Sequence, residues 1–222
     1  MKNIHYLYQQ NRAIFWAVVG FLLVCIIPMI VFHKLDIALY INRMNHPVAD
    51  VFFKYITEFG SFSLIGIILL IVSNKNVRFF LICATSAALG AIITQLCKRL
   101  IWYDSMRPKV FLETIQDAHF VEGVHLHSAH SFPSGHTAGA FSIFIALIIL
   151  TKYKSMKVAF LVLAILTAYS RMYLSQHFLI DVAVGTLIGT VSAILAYTWF
   201  SGERMRNNTT LNKPLYQILR KS

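Results

Sequence analysis

Four short stretches carry residue types that, taken together, suit chemistry on a phosphate group. Ser170-Arg171 is followed by His177 and Asp181, and the four-residue interval sets imidazole and carboxylate on one face of a helix that begins near His177. A carboxylate bonded to one ring nitrogen fixes the tautomer and leaves the other lone pair free, as a histidine nucleophile requires. Pro133-Ser134-Gly135-His136 adds a second imidazole, suited to protonating a leaving oxygen and then activating water. In the same stretch Ser134 suits the cap of a following helix, and Gly135 lets a ligand approach the backbone N–H groups at its positive end. Lys98-Arg99, Arg107-Pro108 and Arg171 supply cations. Guanidinium forks match tetrahedral oxyanions, and charge neutralisation carries much of the rate in phosphoryl transfer. The expected catalytic groups are His177, His136 and Asp181; the expected phosphate cradle is drawn from Lys98, Arg99, Arg107, Ser134, Gly135 and Arg171. This set requires no metal and no cofactor.

Taken singly, each feature has a plainer explanation. A Lys or Arg at the end of an apolar span usually anchors it by reaching to the headgroups. Pro-Ser-Gly before a helix is ordinary capping language, and Asp181 suits a cap as well as a catalytic partner. His119, His125, His127 and His130 are irregularly spaced and lack an accompanying cysteine or carboxylate pair, a poor match to a zinc site, so no metal is expected there. The order of the stretches, and the side of the membrane they share, carries the argument.

The elements that must position these residues are helices in a bilayer. Of 222 residues 57% are hydrophobic and only 13% charged, against about 45–50% and about 25% in an average soluble domain. Mean hydropathy is +0.64. Such a chain cannot cover a water-facing surface, which excludes a soluble monomer, disorder and a disulfide-stapled scaffold. Cys25, Cys83 and Cys97 all lie in apolar runs and form no disulfide framework. The net charge of +11 is scattered between those runs, so nucleic acid is not the expected partner. The expected architecture is an all-α bundle of six transmembrane helices in a single membrane domain, with spans at about 14–32, 59–73, 79–97, 137–151, 158–174 and 182–200. Four or five crossings with a short re-entrant segment is the alternative. Lys54 and Glu58, four apart, can pair at the entry to the second span.

Charge sets the orientation. With six spans and the N-terminus inside, residues 1–13, 74–78, 152–157 and 201–222 hold twelve of the twenty Lys and Arg and one acid. The other side holds eight bases and eight acids, so the excess lies inside, as the positive-inside rule expects. Span 14–32 lacks a cleavage site and is expected to be retained. Residues 33–58 form an outer loop with an interfacial stretch around Asp36–Met44. Residues 98–136 form the longest outer loop and 201–222 a cytoplasmic tail. The glycosylation patterns at Asn207 and Asn208 fall on the inner side. Every candidate site residue falls at the outer ends of helices three to six. No charge lies near mid-span, which argues against a buried ion path.

With these motifs the sequence resembles the type 2 phosphatidic acid phosphatase superfamily of membrane lipid phosphatases. Pro133-Ser134-Gly135-His136 matches its second motif in full, and Ser170, Arg171, His177 and Asp181 match its third. The first motif departs from the pattern. The family has Lys, six residues, then Arg-Pro; here eight residues separate Lys98 from Arg107, and Leu100 occupies the lysine place. Lys98 or Arg99 must then fill the lysine role, through a two-residue enlargement of the loop. The resemblance implies a phosphohistidine at His177, oriented by Asp181 and served by His136 as acid and base, with phosphate held by Lys98, Arg107, Ser134, Gly135 and Arg171. It implies a lipid phosphate substrate: phosphatidate, phosphatidylglycerol phosphate, undecaprenyl pyrophosphate or lipid A.

The expected function is hydrolysis of a lipid phosphomonoester or pyrophosphate. The alternatives are transfer of the phosphoryl group to another acceptor, or non-catalytic binding or transport of a lipid phosphate. The expected partners are substrate and bilayer, with no obligate protein partner. The expected location is a bacterial inner membrane with the site on its periplasmic side, and residues 109–132 are the expected selectors among substrates.

Overall fold

A computed structural model describes residues 2–220; Met1 and the last two residues of the expected tail, Lys221 and Ser222, lie outside the described residues. The described chain is helical throughout, with no strand. Helix α1 (Lys2–Val31) is interrupted at Asn11, whose backbone leaves helical geometry. It is followed by α2 (Lys34–Arg43), α3 (Pro47–Ile56), a 3₁₀ turn at Thr57–Gly60 and α4 (Phe62–Ser73). Next come α5 (Val77–Leu96), a π-helical turn at Cys97–Ile101 and the short α6 (Pro108–Leu112). Helices α7 (Gly135–Leu150), α8 (Lys154–Tyr173) and α9 (Leu179–Phe200) complete the bundle, and α10 (Glu203–Arg206) and α11 (Leu215–Leu219) lie in the tail.

Four of these helices are long and apolar enough to cross a membrane: His5–Val31, Val77–Ile101, Lys154–Tyr173 and Leu179–Phe200. The pair Pro47–Gly60 and Phe62–Ser73 passes the same test jointly but is bent by 57°. This differs from the single straight run expected over 59–73. Ser61 is extended and its hydroxyl accepts from the Leu64 N–H, so it starts a new helix instead of continuing the old one. Gly135–Leu150 is apolar but only 16 residues long. It needs no lipid-facing stripe, because eleven of its residues are buried among neighbouring helices.

Outward faces elsewhere are apolar. Ile27, Ile30, Leu70, Ile71 and Trp199 are all more than half exposed, a surface suited to lipid rather than water. Inside the bundle several buried hydroxyls are turned back on the backbone, while those of Thr186, Thr190 and Ser192 on α9 have no partner among the described residues. Ser86, one of the first group, donates to the Ser142 carbonyl.

Helix α7 is the hub, packed against α5, α8 and most extensively α9. Glycines make that approach possible. A Cβ on Gly185 would lie 2.7 Å from the Ser134 carbonyl oxygen, and one on Gly189 only 2.5 Å from that of Ala138. Larger residues there would push α9 away from the start of α7 and separate the two motifs they carry.

Candidate active site

The Ser134 hydroxyl accepts from the Thr137 N–H and Thr137 hydroxyl, closing the first turn of α7 as the sequence predicts. The Ser134 N–H donates to the Asp181 carbonyl, which joins the start of α7 to the start of α9. Gly135 and His136 then face the cavity at this end of the bundle. Close behind them runs the Thr57–Gly60 turn, where any side chain on Gly60 would collide with the His136 backbone.

His177 lies two residues before α9, not within it. The chain reverses after α8 through Ser175, held at a left-handed φ of 54°. The N–H groups of Gln176 and His177 both donate to the Arg171 carbonyl, so the end of α8 and the imidazole form one unit. Nδ1 of His177 lies 3.3 Å from Oδ2 of Asp181. The same oxygen accepts from the Ser131 hydroxyl at 2.5 Å and the Phe178 N–H at 2.9 Å. Asp181 therefore serves both expected uses, helix cap and imidazole partner. It is held as an acceptor, which sets Nδ1 as the protonated nitrogen and leaves Nε2 as the free lone pair.

Lys98 and Arg99 separate cleanly: Lys98 is buried and Arg99 is exposed. Lys98 Nζ donates to the His130 carbonyl at 2.6 Å. A π turn at Cys97–Ile101, closed by the Trp102 N–H on the Cys97 carbonyl, takes up chain length just where the first motif is enlarged. Arg107 is anchored by neutral acceptors: Nε donates to the Ala129 carbonyl, Nη1 to the Gln176 side-chain and main-chain oxygens, and Nη2 to the His130 carbonyl. Burial lowers its pKa to about 10, which keeps it charged at neutral pH. Arg171 donates through Nη1 to the Thr57 hydroxyl at 2.6 Å, while its buried Nε has no partner.

Among the described residues, the buried Lys, Arg, Asp and Glu side chains are Lys98, Arg107, Arg171 and Asp181. All four are at this site. Three buried cations face one buried carboxylate, an excess of two positive charges among the buried groups while both imidazoles are neutral; the exposed Glu58 also lines the cavity, near Arg171. His177 is neutral across the physiological range. Burial first, then Arg107, Arg171, Lys98 and His136, holds its pKa well below the ordinary value. Uncompensated buried charge is costly unless a counter-charge is supplied.

Lys98, Arg107, Gly135, His136, Arg171 and His177 line a single cavity of about 860 Å³. Ser134 and Asp181 stand behind its wall and act through their neighbours. The cavity continues from the cations between Ile65, Gly66 and Leu69 of α4 and Ala84, Ala88 and Ala91 of α5. From Lys98 to Ala84 that limb follows about 20 Å of helix.

Several groups were not legible as site residues: Gln176 and Thr57, which hold the two arginines, and Ser131, which holds Asp181. Gln176 and Ser131 at least stand beside a motif, whereas Thr57 is remote from all of them in sequence. Lys54 does not pair with Glu58; its ammonium reaches the Glu122 carbonyl and fixes the outer loop. Of the four loop histidines, His125 and His127 line the cavity with ring centroids 4.6 Å apart, whereas His119 bonds Asp50. Among the described residues, no three His, Cys, Asp or Glu side chains cluster so as to hold a metal ion.

Fold and site together define a helical, membrane-type protein with three buried cations beside an imidazole held by a carboxylate. Residues 79–205 match the family model of the PAP2 superfamily, and the chain belongs to that superfamily. It is 26% identical over 167 residues to the undecaprenyl-diphosphatase BcrC of Bacillus subtilis (strain 168), covering 72% of this chain and 79% of that protein. Its structure is similar to that of Aquifex aeolicus LpxE, with a TM-score of 0.66 and 27% identity, covering 76% of this chain and 97% of the other. It also shares its fold with a transmembrane PAP2 type phosphatidylglycerolphosphate phosphatase from Bacillus subtilis, at a TM-score of 0.62 and 20% identity, covering 83% and 94%.

Proposed function

We propose that this chain is an integral membrane phosphatase that removes phosphate from a lipid phosphomonoester or pyrophosphate through a phosphohistidine. The observation that carries the reading is the buried excess of two positive charges beside an imidazole whose tautomer is fixed. Nε2 of His177 attacks phosphorus and the bond to the lipid oxygen breaks. His136, which takes up a proton once the phosphate dianion is bound, donates it to that oxygen and is left neutral. Water, losing its proton to His136, then attacks the phosphohistidine; the phosphorus–nitrogen bond breaks, releasing inorganic phosphate and restoring the free imidazole. Asp181 keeps Nδ1 protonated and offsets the positive ring. Lys98, Arg107, Arg171 and the N–H groups at the start of α7 hold the equatorial oxygens. In this scheme the basic side chains do the work often done by a metal.

The apolar limb between α4 and α5 supports a lipid substrate, because it leads from the cradle between helices whose outer faces suit lipid. In the membrane the chain makes six passes: the four long helices, the bent α3–α4 pair, and α7 sheltered at the centre. With the Lys and Arg excess facing the cytoplasm, the cradle opens on the outer side, in a bacterial case the periplasmic face of the inner membrane. Undecaprenyl pyrophosphate heads the candidate substrates, on the likeness to an undecaprenyl-diphosphatase, with phosphatidylglycerol phosphate, phosphatidate and lipid A beside it.

The test is a panel of these lipids given to the purified chain with EDTA present. Inorganic phosphate is released from at least one and not by the His177→Ala variant. Binding of intact lipid without release makes the protein a carrier or receptor instead.

A further inference from the structure

We infer that Gln176 is a positioning residue: it holds the Arg107 guanidinium in a fully charged state beside the nucleophile and couples it to the loop that roofs the cavity. The inference rests on the reading of the site as a phosphatase. Gln176 is 1% exposed, yet both ends of its amide are engaged. Its Oε1 accepts from Arg107 Nη1 at 2.7 Å and its Nε2 donates to the His125 carbonyl at 3.1 Å, while its own carbonyl accepts again from Nη1 at 3.3 Å. One buried side chain thus joins Arg107, the residue preceding His177, and the outer loop at His125.

The chemistry of the amide matters as much as its position. Every acceptor on Arg107 is uncharged: the carbonyls of Ala129, His130 and Gln176, and the Gln176 amide oxygen. These orient the fork without a salt bridge, so the guanidinium, whose charge is met only in part by Asp181, can still pair with an incoming oxyanion. A carboxylate at the Oε1 position, 2.7 Å from Nη1, would form a buried ion pair through that one nitrogen and compete with the substrate phosphate for the same cation. Glutamate has the same shape as glutamine, so the two roles separate experimentally. A merely structural residue tolerates an ion pair there. A residue that keeps Arg107 available to anions does not.

The experiment compares wild type, Gln176→Glu, Gln176→Met and His177→Ala as full chains in detergent, measuring kcat, KM for a lipid phosphate, and inhibition by inorganic phosphate. Gln176→Glu, whose second carboxylate oxygen loses the bond to the His125 carbonyl, is expected to raise both KM and the phosphate inhibition constant about tenfold or more, a larger factor than Gln176→Met, which loses the same bond without adding a charge. Gln176→Met, which keeps volume but loses both bonds, is expected to raise KM by a smaller factor of about three to ten. It serves as the deciding variant should Gln176→Glu fail to fold. Phosphate inhibition and KM unchanged from wild type in the folded variants would overturn the inference. The underlying phosphatase reading is tested separately: it fails if the wild type releases no inorganic phosphate from the lipid panel, or if His177→Ala still releases it at the wild-type rate.

Discussion

The molecule contains two histidine–carboxylate pairs, and they behave as opposites. His119 Nε2 lies 2.8 Å from Asp50, whose other oxygen accepts from the Tyr173 hydroxyl. Around them Asn42 exchanges hydrogen bonds with the His119 backbone and donates to the Ser175 hydroxyl. That cluster is closed and partly exposed, with the His119 and Asp50 side chains 35% and 17% accessible. His177 and Asp181 sit farther apart, at 3.3 Å, but are only 2% and 3% accessible. They are ringed by three cations, one of which keeps an unpartnered donor. The first pair ties α2, α3 and the outer loop to the end of α8; the second is poised for an anion. A His–Asp contact is therefore not itself a chemical signature. Burial, free donors and uncancelled charge around it are.

The largest test of that contrast is to break each pair. His177→Ala should lower phosphate release about a thousandfold or more, the scale on which loss of a nucleophile falls. His119→Ala should leave kcat within about twofold. Its cost should appear instead as about 1 kcal/mol of stability, read from the thermal or denaturant midpoint. Comparable activity losses in the two variants would erase the distinction. Next in size, Arg171→Gln should reduce kcat/KM roughly a hundredfold, because it removes the cation whose Nε has no protein partner.

The pH profile sharpens the same comparison. The reactive form of His177 is neutral, and its pKa is depressed by burial and by Arg107, Arg171 and Lys98. The acid limb that it contributes to kcat/KM should therefore lie below the ordinary imidazole value of 6.5. Arg107→Gln removes the strongest of those charges and should move that limb upward. The sign for folding agrees: the unfolded chain binds this proton more readily, so the contribution to stability is present above the ordinary value and lost as pH falls below it. The smallest expected effect concerns the apolar limb. A Cβ at Gly66 meets nothing within 4 Å, and Gly66 lines the limb, so Gly66→Leu should narrow it. The preference for long-chain over short-chain lipid phosphates should fall roughly tenfold, measured as a ratio of kcat/KM values.

What could be read from the sequence follows the range of the interactions involved. Ser134, His136, Arg171, His177 and Asp181 stand in short motifs whose spacing is itself geometry, and the structure brings them to one end of the bundle. The long apolar helices were equally plain, because a bilayer demands an uninterrupted run. The break at Ser61 was hidden, since an N-cap inside an apolar stretch leaves hydropathy almost unchanged. The choice of Lys98 over Arg99 depended on helix phase and on a π turn that no local pattern announces. Gln176, Ser131 and Thr57 act on partners 50 to 114 residues away, or through them, and an ordinary polar side chain gives no sign of that.

The most direct measurement is to quench the chain during turnover of a lipid carrying labelled phosphate and map the label on the protein. The account predicts an alkali-stable, acid-labile phosphate on His177 that chases into inorganic phosphate and is absent from His177→Ala. Full turnover with label on another side chain, or with His177 never labelled in a chain whose burst shows a covalent intermediate, contradicts it.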